Sequence, residues 1–440
     1  YGVTDGTTSK SIGAASNDAV STSNTSTRIA NKALTMVQWG ETLLAEADLS
    51  SMDATNFTLN WTTNNASAYV IHFIAIGGSS VSAKVVGWTM ATATGNKSVT
   101  GVGFQPDVVI HAFPDSTFTN AIPASLADAT VGIGAMDVNG NQWANFVFSR
   151  DNRNSSDTQR GQQTNAAIFT FTSGLAITKK AAFVSMDADG FTVNFSTANG
   201  SATQIFSLAL KGMNAKAGNF SKSTTTPSVS QSVTGVGFQP RVVMLSSFQD
   251  VAQANPVVQS RFGIGASDAN AEGSSAYSDA NAVNTTNVKS IDKTSKAFMK
   301  VNNNTSTIDA EADLTSMDAD GFTLNWTTND AVATQMLYLA LAPNVAPSET
   351  LNLGQITGGV TGGCNCRFNA TYAWSNGNKT LTITLGTRTI GYTNPTLNSA
   401  TRTFNPTTTS SKMQSSTGNF HICDTNSGGG NCLPTTTTLP

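Results

Sequence analysis

Residues 310–329 read AEADLTSMDADGFTLNWTTN, and residues 45–64 read AEADLSSMDATNFTLNWTTN, which is nearly the same sequence. The motif MDADGFT inside this stretch occurs once more at residues 186–192. A second motif, SVTGVGFQP, occurs at residues 98–106 and again at residues 232–240. Because each spacing is as long as a whole domain, we predict tandem copies of one domain and not a short-period solenoid.

Within a copy, the apolar residues recur with a period of two. Phe191, Val193 and Phe195 alternate with polar residues, which predicts a half-buried strand. The preceding residues 187–190 (DADG) have the composition of a tight turn. About seven such strands at short spacing in about 130 residues predict a β-sandwich of jelly-roll or Greek-key type. The expected fold class is therefore all-β, with tandem β-sandwich repeats.

The repeated motifs and the cysteine distribution predict five parts of the chain. They are a partial repeat at residues 1–78, a full repeat at 79–212, a second full repeat at 213–343, a linker at 344–350, and a small disulfide-stapled β module with a Thr/Pro tail at 351–440. The first three parts are called repeats 1, 2 and 3 below.

Repeat 1 begins partway through the repeated pattern. Residues 2–20 align with residues 265–283, so repeat 1 lacks the part that corresponds to residues 98–133. Two explanations are open. Either a precursor was cut and another chain fills the gap, or the missing part lies outside this sequence.

A sandwich without its opening strands would expose unpaired backbone and apolar faces. A strand donated by a neighbouring copy would cover both and would join copies head to tail into a fibre, because such a contact does not close. We expect the acceptor at Tyr1, Gly2 and Val3, and the linker or residues 434–440 as the donor.

The composition excludes several classes of partner. Charged residues make up 12% of the chain, about half of the usual ~25%. The net charge is -3 without basic clusters, so nucleic-acid binding has no electrostatic basis. No run of about 18 apolar residues is present, so we predict no membrane span. Low charge with abundant Ser, Thr and Asn indicates a secreted, cell-surface or virion protein.

All four cysteines lie in the last module, at Cys364, Cys366, Cys423 and Cys432. Residues two apart rarely pair because the bridge is strained, so we predict that the first two pair with the last two, in either arrangement. Such disulfides would close a loop of about sixty residues, would add roughly 3–4 kcal/mol, and imply an oxidising compartment. Zinc with His421 is the alternative, although the spacing differs from that of usual zinc sites.

Closely spaced carboxylates in the two MDADGFT motifs are the candidates for binding Ca²⁺: Asp187, Asp189, Asp318 and Asp320. The further ligands of an EF-hand loop are absent, and repeat 1 has Asp-Ala-Thr-Asn at the same place, residues 53–56. We therefore predict plain turns, with a weak calcium site as the alternative.

No catalytic residue set is recognisable in the sequence. His72, His111 and His421 fall at positions that do not correspond between repeats, and no Ser/His/Asp, Cys/His or paired Glu arrangement recurs. We predict a protein that is not an enzyme and that needs no cofactor.

The pattern GFQP, GIG, MDADGFTLNWTT and LAL, which runs through residues 1–343, resembles β-sandwich modules repeated in virion and tail structural proteins of bacteriophages and in related exported proteins of environmental bacteria. That resemblance implies a structural role without catalytic residues. The cysteine-bearing module and the PTTTTLP tail look more like a bacterial cell-surface protein.

Two functions from different classes follow. The first is a structural subunit of an extracellular assembly, a filament or a virion or tail component, whose partners are copies of itself. The alternative is a carbohydrate-binding adhesin or receptor-binding module, in which Trp88, Trp143 or Trp374 would stack on a sugar ring.

Overall fold

The computed structural model describes residues 1–78, 80–115, 124–302 and 305–344, together with the backbone of six strands between residues 348 and 423. In this part of the chain there are 34 β-strands and no helix, and therefore no helix long and apolar enough to cross a membrane. The chain forms two compact units, Tyr1–Asn344 and Val345–Pro440. The first unit contains the three repeats.

The strands of the first unit divide among the repeats as follows. Repeat 1 contains β1 (Gly2–Thr4), β2 (Ser9–Ser16), β3 (Thr25–Ala30), β4 (Leu34–Gln38), β5 (Thr42–Met52) and β6 (Phe57–Thr63). Repeat 2 contains β7 (Ser82–Thr89), β8 (Gly95–Thr100), β9 (Val108–Phe113), β10 (Ala124–Leu126), β11 (Ala129–Asp137), β12 (Gln142–Ser149), β13 (Thr158–Gln163), β14 (Ile168–Phe171), β15 (Ile177–Asp187), β16 (Gly190–Thr197) and β17 (Gln204–Lys211). Repeat 3 contains β18 (Met213–Ser221), β19 (Val229–Thr234), β20 (Val242–Ser247), β21 (Val257–Val258), β22 (Ser260–Ser267), β23 (Glu272–Asp279), β24 (Val288–Lys293), β25 (Phe298–Val301), β26 (Ile308–Asp318), β27 (Gly321–Thr328) and β28 (Gln335–Pro343).

Repeats 2 and 3 are antiparallel β-sandwiches with the same strand order. In repeat 2 the larger sheet has the order β13-β12-β11-β9-β17-β7 and the smaller sheet the order β14-β15-β16-β8. In repeat 3 the corresponding orders are β24-β23-β22-β20-β28-β18 and β25-β26-β27-β19. The predicted fold class, tandem β-sandwich repeats, is confirmed.

The core of each sandwich lies between its two sheets, because the alternating residues of the smaller sheet face the larger one. On β16, Phe191, Val193 and Phe195 are buried in the core of repeat 2. On β27, Phe322 and Trp326 are buried in the core of repeat 3. These are the alternating positions on which the sequence prediction relied.

Each complete repeat has two parts that are named here for later use. The opening half comprises the first four strands, β7–β10 in repeat 2 and β18–β21 in repeat 3. The closing half comprises the remaining seven strands, β11–β17 and β22–β28. Repeat 1 contains only a closing half, with β1-β2-β3 in one sheet and β4-β5-β6 in the other.

Strands of one repeat also extend the sheet of another. The short strand β10 of repeat 2 pairs with β3 of repeat 1, with Ser125 opposite Arg28. The short strand β21 of repeat 3 pairs with β13 of repeat 2, with Val257 opposite Arg160. The third strand of this type, β24, ends its sheet without such a partner among the described strands.

The second unit contains two small sheets. Its strands are β29 (Ser348–Ile356), β30 (Cys366–Trp374), β31 (Thr380–Leu385), β32 (Arg388–Thr393), β33 (Lys412–Ser416) and β34 (Asn419–Cys423), in the orders β29-β30-β31-β32 and β33-β34. The predicted disulfides lie outside the described part of the chain. Cys364 and Cys432 are not among the described residues, and only the backbone of Cys366 and Cys423 is described.

Candidate assembly surface

The DADG turns hold the opening half of a repeat to its closing half. In repeat 2 the Asp189 carboxylate accepts hydrogen bonds from the backbone N–H groups of Gly101 (3.0 Å) and Gly103 (2.6 Å), which lie in the GVG loop of the opening half. In repeat 3 Asp320 accepts the same pair from Gly235 and Gly237, at 3.0 and 2.6 Å.

These contacts account for the four aspartates that the sequence proposed as calcium candidates. Asp187 accepts hydrogen bonds from the hydroxyls of Ser185 and Thr192, and Asp318 accepts the equivalent pair. The backbone N–H donors lower the pKa of Asp189 and Asp320 below its ordinary value of 3.8. Donors of the protein therefore engage all four carboxylates, and among the described residues no cluster of three or more His, Cys, Asp or Glu is placed to hold a metal ion.

Repeat 1 lacks this connection. Thr55 stands where repeat 3 has Asp320, and Asn56 stands where it has Gly321. A Cβ atom on Gly321 would lie 1.9 Å from the carbonyl oxygen of Val233 on β19, so glycine is required wherever a strand of that type runs alongside. The turn of repeat 1 instead closes on itself, because Asp53 accepts the backbone N–H groups of Thr55 and Asn56.

The core-facing residues of repeat 1 are retained, although no described strand forms an opening half for it. Trp61 corresponds to Trp326, yet Trp61 is 38% exposed and Trp326 is fully buried. Phe57 and Leu59 are half-buried, whereas the corresponding Phe322 on β27 has no exposed surface. Repeat 1 is therefore an open sandwich whose apolar interior reaches the surface.

Residues 70–78 (VIHFIAIGG) make the opening wider. They follow β6 as β28 follows β27, and they keep the apolar pattern of a central strand. Whereas β28 pairs with β18 on one side and β20 on the other, residues 70–78 belong to no strand. Phe73 is 68% exposed, while the equivalent Tyr338 is 4% exposed.

Exposed apolar side chains are concentrated in repeat 1. Thirteen large apolar side chains are exposed among the described residues. Eight of them belong to repeat 1: Trp39, Met52, Trp61, Tyr69, Val70, Ile71, Phe73 and Ile74. The term open face is used below for the surface formed by Phe57, Leu59, Trp61 and residues 69–76. Monomeric proteins rarely expose contiguous apolar patches of this kind without a function.

Although residues 70–78 lack strand partners, they contact a neighbouring repeat, as the equivalent strands β17 and β28 do. Phe206 of β17 packs into a cluster with Ile12 of repeat 1, and Leu337 of β28 packs into a cluster with Trp143 of repeat 2. His72 is the equivalent residue of repeat 1, and its Nε2 lies 2.9 Å from Oδ1 of Asp292 in repeat 3. Residues 70–78 thus contact repeat 3, but no described strand pairs with them on either side as β18 and β20 pair with β28.

The three repeats form a closed ring through one loop each, at residues 17–25, 150–158 and 280–288. At each junction two loops exchange a pair of backbone hydrogen bonds. The pairs are Ala19 N to Thr286 O (2.9 Å) with Thr286 N to Val20 O (2.9 Å), Asn152 N to Ser23 O (2.8 Å) with Ser23 N to Arg153 O (2.8 Å), and Ala282 N to Ser156 O (2.7 Å) with Ser156 N to Val283 O (3.0 Å). Each loop therefore contacts both others through equivalent positions, as in a three-fold ring.

Side chains reinforce the same three junctions. Asp18, Asp151 and Asn281 each accept a backbone N–H of the neighbouring repeat at 2.8 Å. The residues that follow them, Ala19, Asn152 and Ala282, have positive φ of 58°, 54° and 57°. This ring is not predicted by the repeats in the sequence. The repeated Asp or Asn before a left-handed residue is the only signal that the sequence offers for it.

The residues proposed as a subunit interface lie within the first unit. Tyr1 stacks on Phe206 of repeat 2, with ring centroids 6.4 Å apart. Gly2 pairs with Ser11 on β2, and Val3 is buried. Most of the large apolar side chains that repeat 1 exposes lie at the open face instead.

Of the aromatic residues proposed to stack on a sugar, Trp88 and Trp143 form hydrogen bonds within the protein. Trp143 is fully buried, and its Nε1 donates a hydrogen bond to the carbonyl oxygen of Tyr338 at 2.8 Å. Trp88 donates to the hydroxyl of Ser207. The side chain of Trp374 lies outside the described residues.

Among the described residues, the buried histidine is His111, which lies in the interior of repeat 2. His111 has no exposed surface, and its Nδ1 lies 2.7 Å from Oγ of Ser207. Burial lowers the pKa of His111 to about 3, which keeps its imidazole neutral.

No protein-family model, no curated protein and no solved structure matches this chain.

Proposed function

We propose that the protein is a non-enzymatic structural subunit of an extracellular assembly, a filament or a virion or tail component, in which copies of the chain join head to tail. The observation that supports this proposal is the open face of repeat 1. Its residues keep the apolar pattern that repeats 2 and 3 bury, although none of the described residues of the first unit covers them.

Burial of this face supplies the driving force for assembly. A fully buried aromatic or aliphatic side chain is worth about 1.5–3 kcal/mol relative to an exposed one, and several such residues share the open face. Unpaired strand edges add the main-chain hydrogen bonds by which one protein extends the sheet of another. A contact between two different surfaces of the same chain does not close on itself and therefore gives a filament.

The test compares two substitutions of exposed apolar residues by aspartate. Phe73→Asp places a charge in the open face, and Val251→Asp places one at a residue that is 42% exposed in repeat 3. We expect wild type and Val251→Asp to form regular polymers in sedimentation and negative-stain electron microscopy, and Phe73→Asp to remain monomeric. Equal assembly of both variants, or a wild-type chain that stays monomeric at every concentration, would contradict the proposal.

A further inference from the structure

Three chemically complementary side chains meet at one end of repeat 3, where its two sheets come together. Lys222 directly follows β18, the edge strand of the larger sheet, and Asn329 and Asp330 directly follow β27 of the smaller sheet. The Nζ atom of Lys222 contacts Oδ1 of Asn329 and lies 2.9 Å from Oδ1 of Asp330. An amine, an amide and a carboxylate are thus within reach of one another.

The protein shields the amine from water. The side chain of Lys222 has no exposed surface, and its Nζ lies 5.5 Å from the centre of the ring of the fully buried Trp326. Burial lowers the pKa of Lys222 below its ordinary value of 10.5, which increases the fraction of neutral amine. A neutral amine is a nucleophile, whereas an ammonium group is not.

The amide of Asn329 is held with its oxygen toward this amine. Its Nδ2 donates hydrogen bonds to the carbonyl oxygens of Ser223 at 3.0 Å and Thr225 at 2.7 Å. Thr225 is exposed, so the nitrogen of the amide faces a surface loop while the oxygen faces Lys222. Reacting groups that are fixed in this way have already lost much of the entropy that a reaction between them costs.

The charges at this site are unbalanced. Asp330 pairs with Lys222 and also with Lys300, whose Nζ lies 2.5 Å from Oδ2 and whose side chain is 2% exposed. The neighbouring ion pair of Arg261 and Asp309 joins one cation to one carboxylate. An uncompensated buried charge is costly. Conversion of the Lys222 ammonium into a neutral amide would leave Lys300 and Asp330 as a one-to-one pair.

Repeat 2 lacks all three groups at the same positions of its backbone. The amine, the amide and the carboxylate are replaced together: Met90 stands in place of Lys222, Ala198 in place of Asn329, and Asn199 in place of Asp330. The sandwich of repeat 2 forms without them, which indicates that the three groups serve a purpose particular to repeat 3.

We propose that Lys222 and Asn329 join in an intramolecular isopeptide bond, with Asp330 as the catalytic residue. Asp330 takes a proton from the Lys222 ammonium, and the resulting amine attacks Cγ of Asn329. A bond forms between Nζ and Cγ, a second proton of Nζ passes to Nδ2, and the bond between Cγ and Nδ2 breaks. The released ammonia takes the proton from Asp330 and leaves as ammonium, so the step needs no further reactant.

This bond would tie β18 to β27 and thereby the larger sheet of repeat 3 to the smaller one. Because Lys222 and Asn329 lie 107 positions apart, it would enclose most of repeat 3 in a covalent loop. Such a loop restricts the unfolded chain and stabilises the fold, as a disulfide does. The inference goes beyond the proposed function and does not depend on assembly, because all three residues belong to one chain.

Mass spectrometry of the reduced and denatured full-length chain tests this inference. We expect the mass of wild type to be lower than that of its sequence by one ammonia, and proteolysis to yield a branched peptide that joins Lys222 to Asn329. Asn329→Ala removes the amide, and Asp330→Asn removes the proton acceptor at nearly unchanged size, so both variants should have the full mass. Lys300→Met is the matched control, because it removes the other lysine at Asp330 and should retain the bond.

Repeat 2 supplies an internal control in every sample. The Nζ atom of Lys179 donates to the backbone carbonyls of Ala91 and Ser201, at 3.0 and 2.7 Å. A backbone carbonyl in that setting has no ammonia to release, so peptides that contain Lys179 should be recovered unmodified.

Three outcomes would count against the proposal. A wild-type chain of full mass, with Lys222 and Asn329 in separate unmodified peptides, would overturn it and leave a buried ion pair. Loss of water in place of ammonia, with Lys222 joined to Asp330, would equally overturn it. A bond that forms to the same extent in Asp330→Asn would overturn the catalytic role of the carboxylate.

Discussion

One tryptophan position is buried in repeat 3 and exposed in repeat 1, and this difference sets the effect of replacing it. Trp326 is fully buried, donates a hydrogen bond from Nε1 to Gln231 at 2.8 Å, and packs edge-on against Phe298. Removing a buried aromatic side chain of this size costs about 3–5 kcal/mol. Because Trp61 is 38% exposed, Trp61→Ala should cost the monomer much less, below about 1 kcal/mol.

Denaturant unfolding of the monomer, followed by circular dichroism, measures both losses. Trp326→Ala should shift the transition of repeat 3 to lower denaturant, and Trp61→Ala should leave the curve nearly unchanged. In the assembled state the difference between the two losses of stability should become smaller, since Trp61 becomes buried there. Equal destabilisation of the monomer by the two variants would mean that repeat 1 is closed in solution.

At the scale of elements, the DADG turn is a pH-dependent connection between the two halves of a repeat. Hydrogen bonds from Gly237 and Gly235 lower the pKa of Asp320 below 3.8. A folded-state pKa below the unfolded value means that the carboxylate stabilises the fold above about pH 4 and that this contribution is lost as the pH falls through the lowered pKa. We expect Asp320→Asn to lower the Tm near neutral pH and to approach wild type as the pH falls through the lowered pKa of Asp320.

Thermal unfolding of wild type and Asp320→Asn across this pH range is the measurement. Asp189→Asn removes the equivalent turn of repeat 2 and should give the same pH dependence, because Asp189 binds Gly101 and Gly103 in the same way. Glu41→Gln, which changes an exposed carboxylate outside these turns, is the control. A Tm difference for Asp320→Asn that persists at low pH would show that lost packing, and not charge, causes it.

The sequence predicts the strands whose side chains alternate and misses those stabilised by polar contacts between repeats. The alternation at Phe191, Val193 and Phe195 is enough to predict β16. The strand β13 (TQRGQQ) has no apolar residue, yet all six of its residues are buried. Arg160 donates to the backbone carbonyl of Val258, and Gln162 donates to Gln335. A strand buried by another repeat carries no hydrophobic period, so its burial depends on tertiary structure.

The candidate site was predictable only in part, for a related reason. The partial alignment of repeat 1 predicts an incomplete sandwich, and the structure describes the exposed Phe73 and Trp61 that result. The sequence predicts the acceptor at Tyr1, Gly2 and Val3 because repeat 1 begins there, partway through the repeated pattern. In the folded unit those residues contact repeat 2, since the ring brings the repeats together in a way that no local pattern encodes.

At the scale of the whole molecule, one chain forms the arrangement that a homotrimer forms from three. Each repeat uses the same two sides of one loop to contact its two neighbours, so the heterologous contacts close after three steps. The strand exchange follows the ring as well, from β10 to repeat 1 and from β21 to repeat 2. Among the described strands, none pairs with the outer edge of β24, the equivalent position in repeat 3.

In a closed ring, weakening two junctions together should lower the stability by more than the sum of the two single effects. Asp18, Asp151 and Asn281 each accept one backbone N–H across a junction at 2.8 Å. A hydrogen bond of this kind contributes about 1 kcal/mol, and less at Asp18, whose carboxylate is 48% exposed and screened by solvent.

We expect Asp151→Ala or Asn281→Ala alone to lower the Tm slightly. We expect the double variant to lower it by more than the sum, because both junctions through which repeat 2 contacts its neighbours are then weakened together. Calorimetry of the two single variants and the double variant measures this, with Asp18→Ala as the partly exposed comparison. Strict additivity would mean that the junctions act independently and that the ring does not stabilise the molecule as a unit.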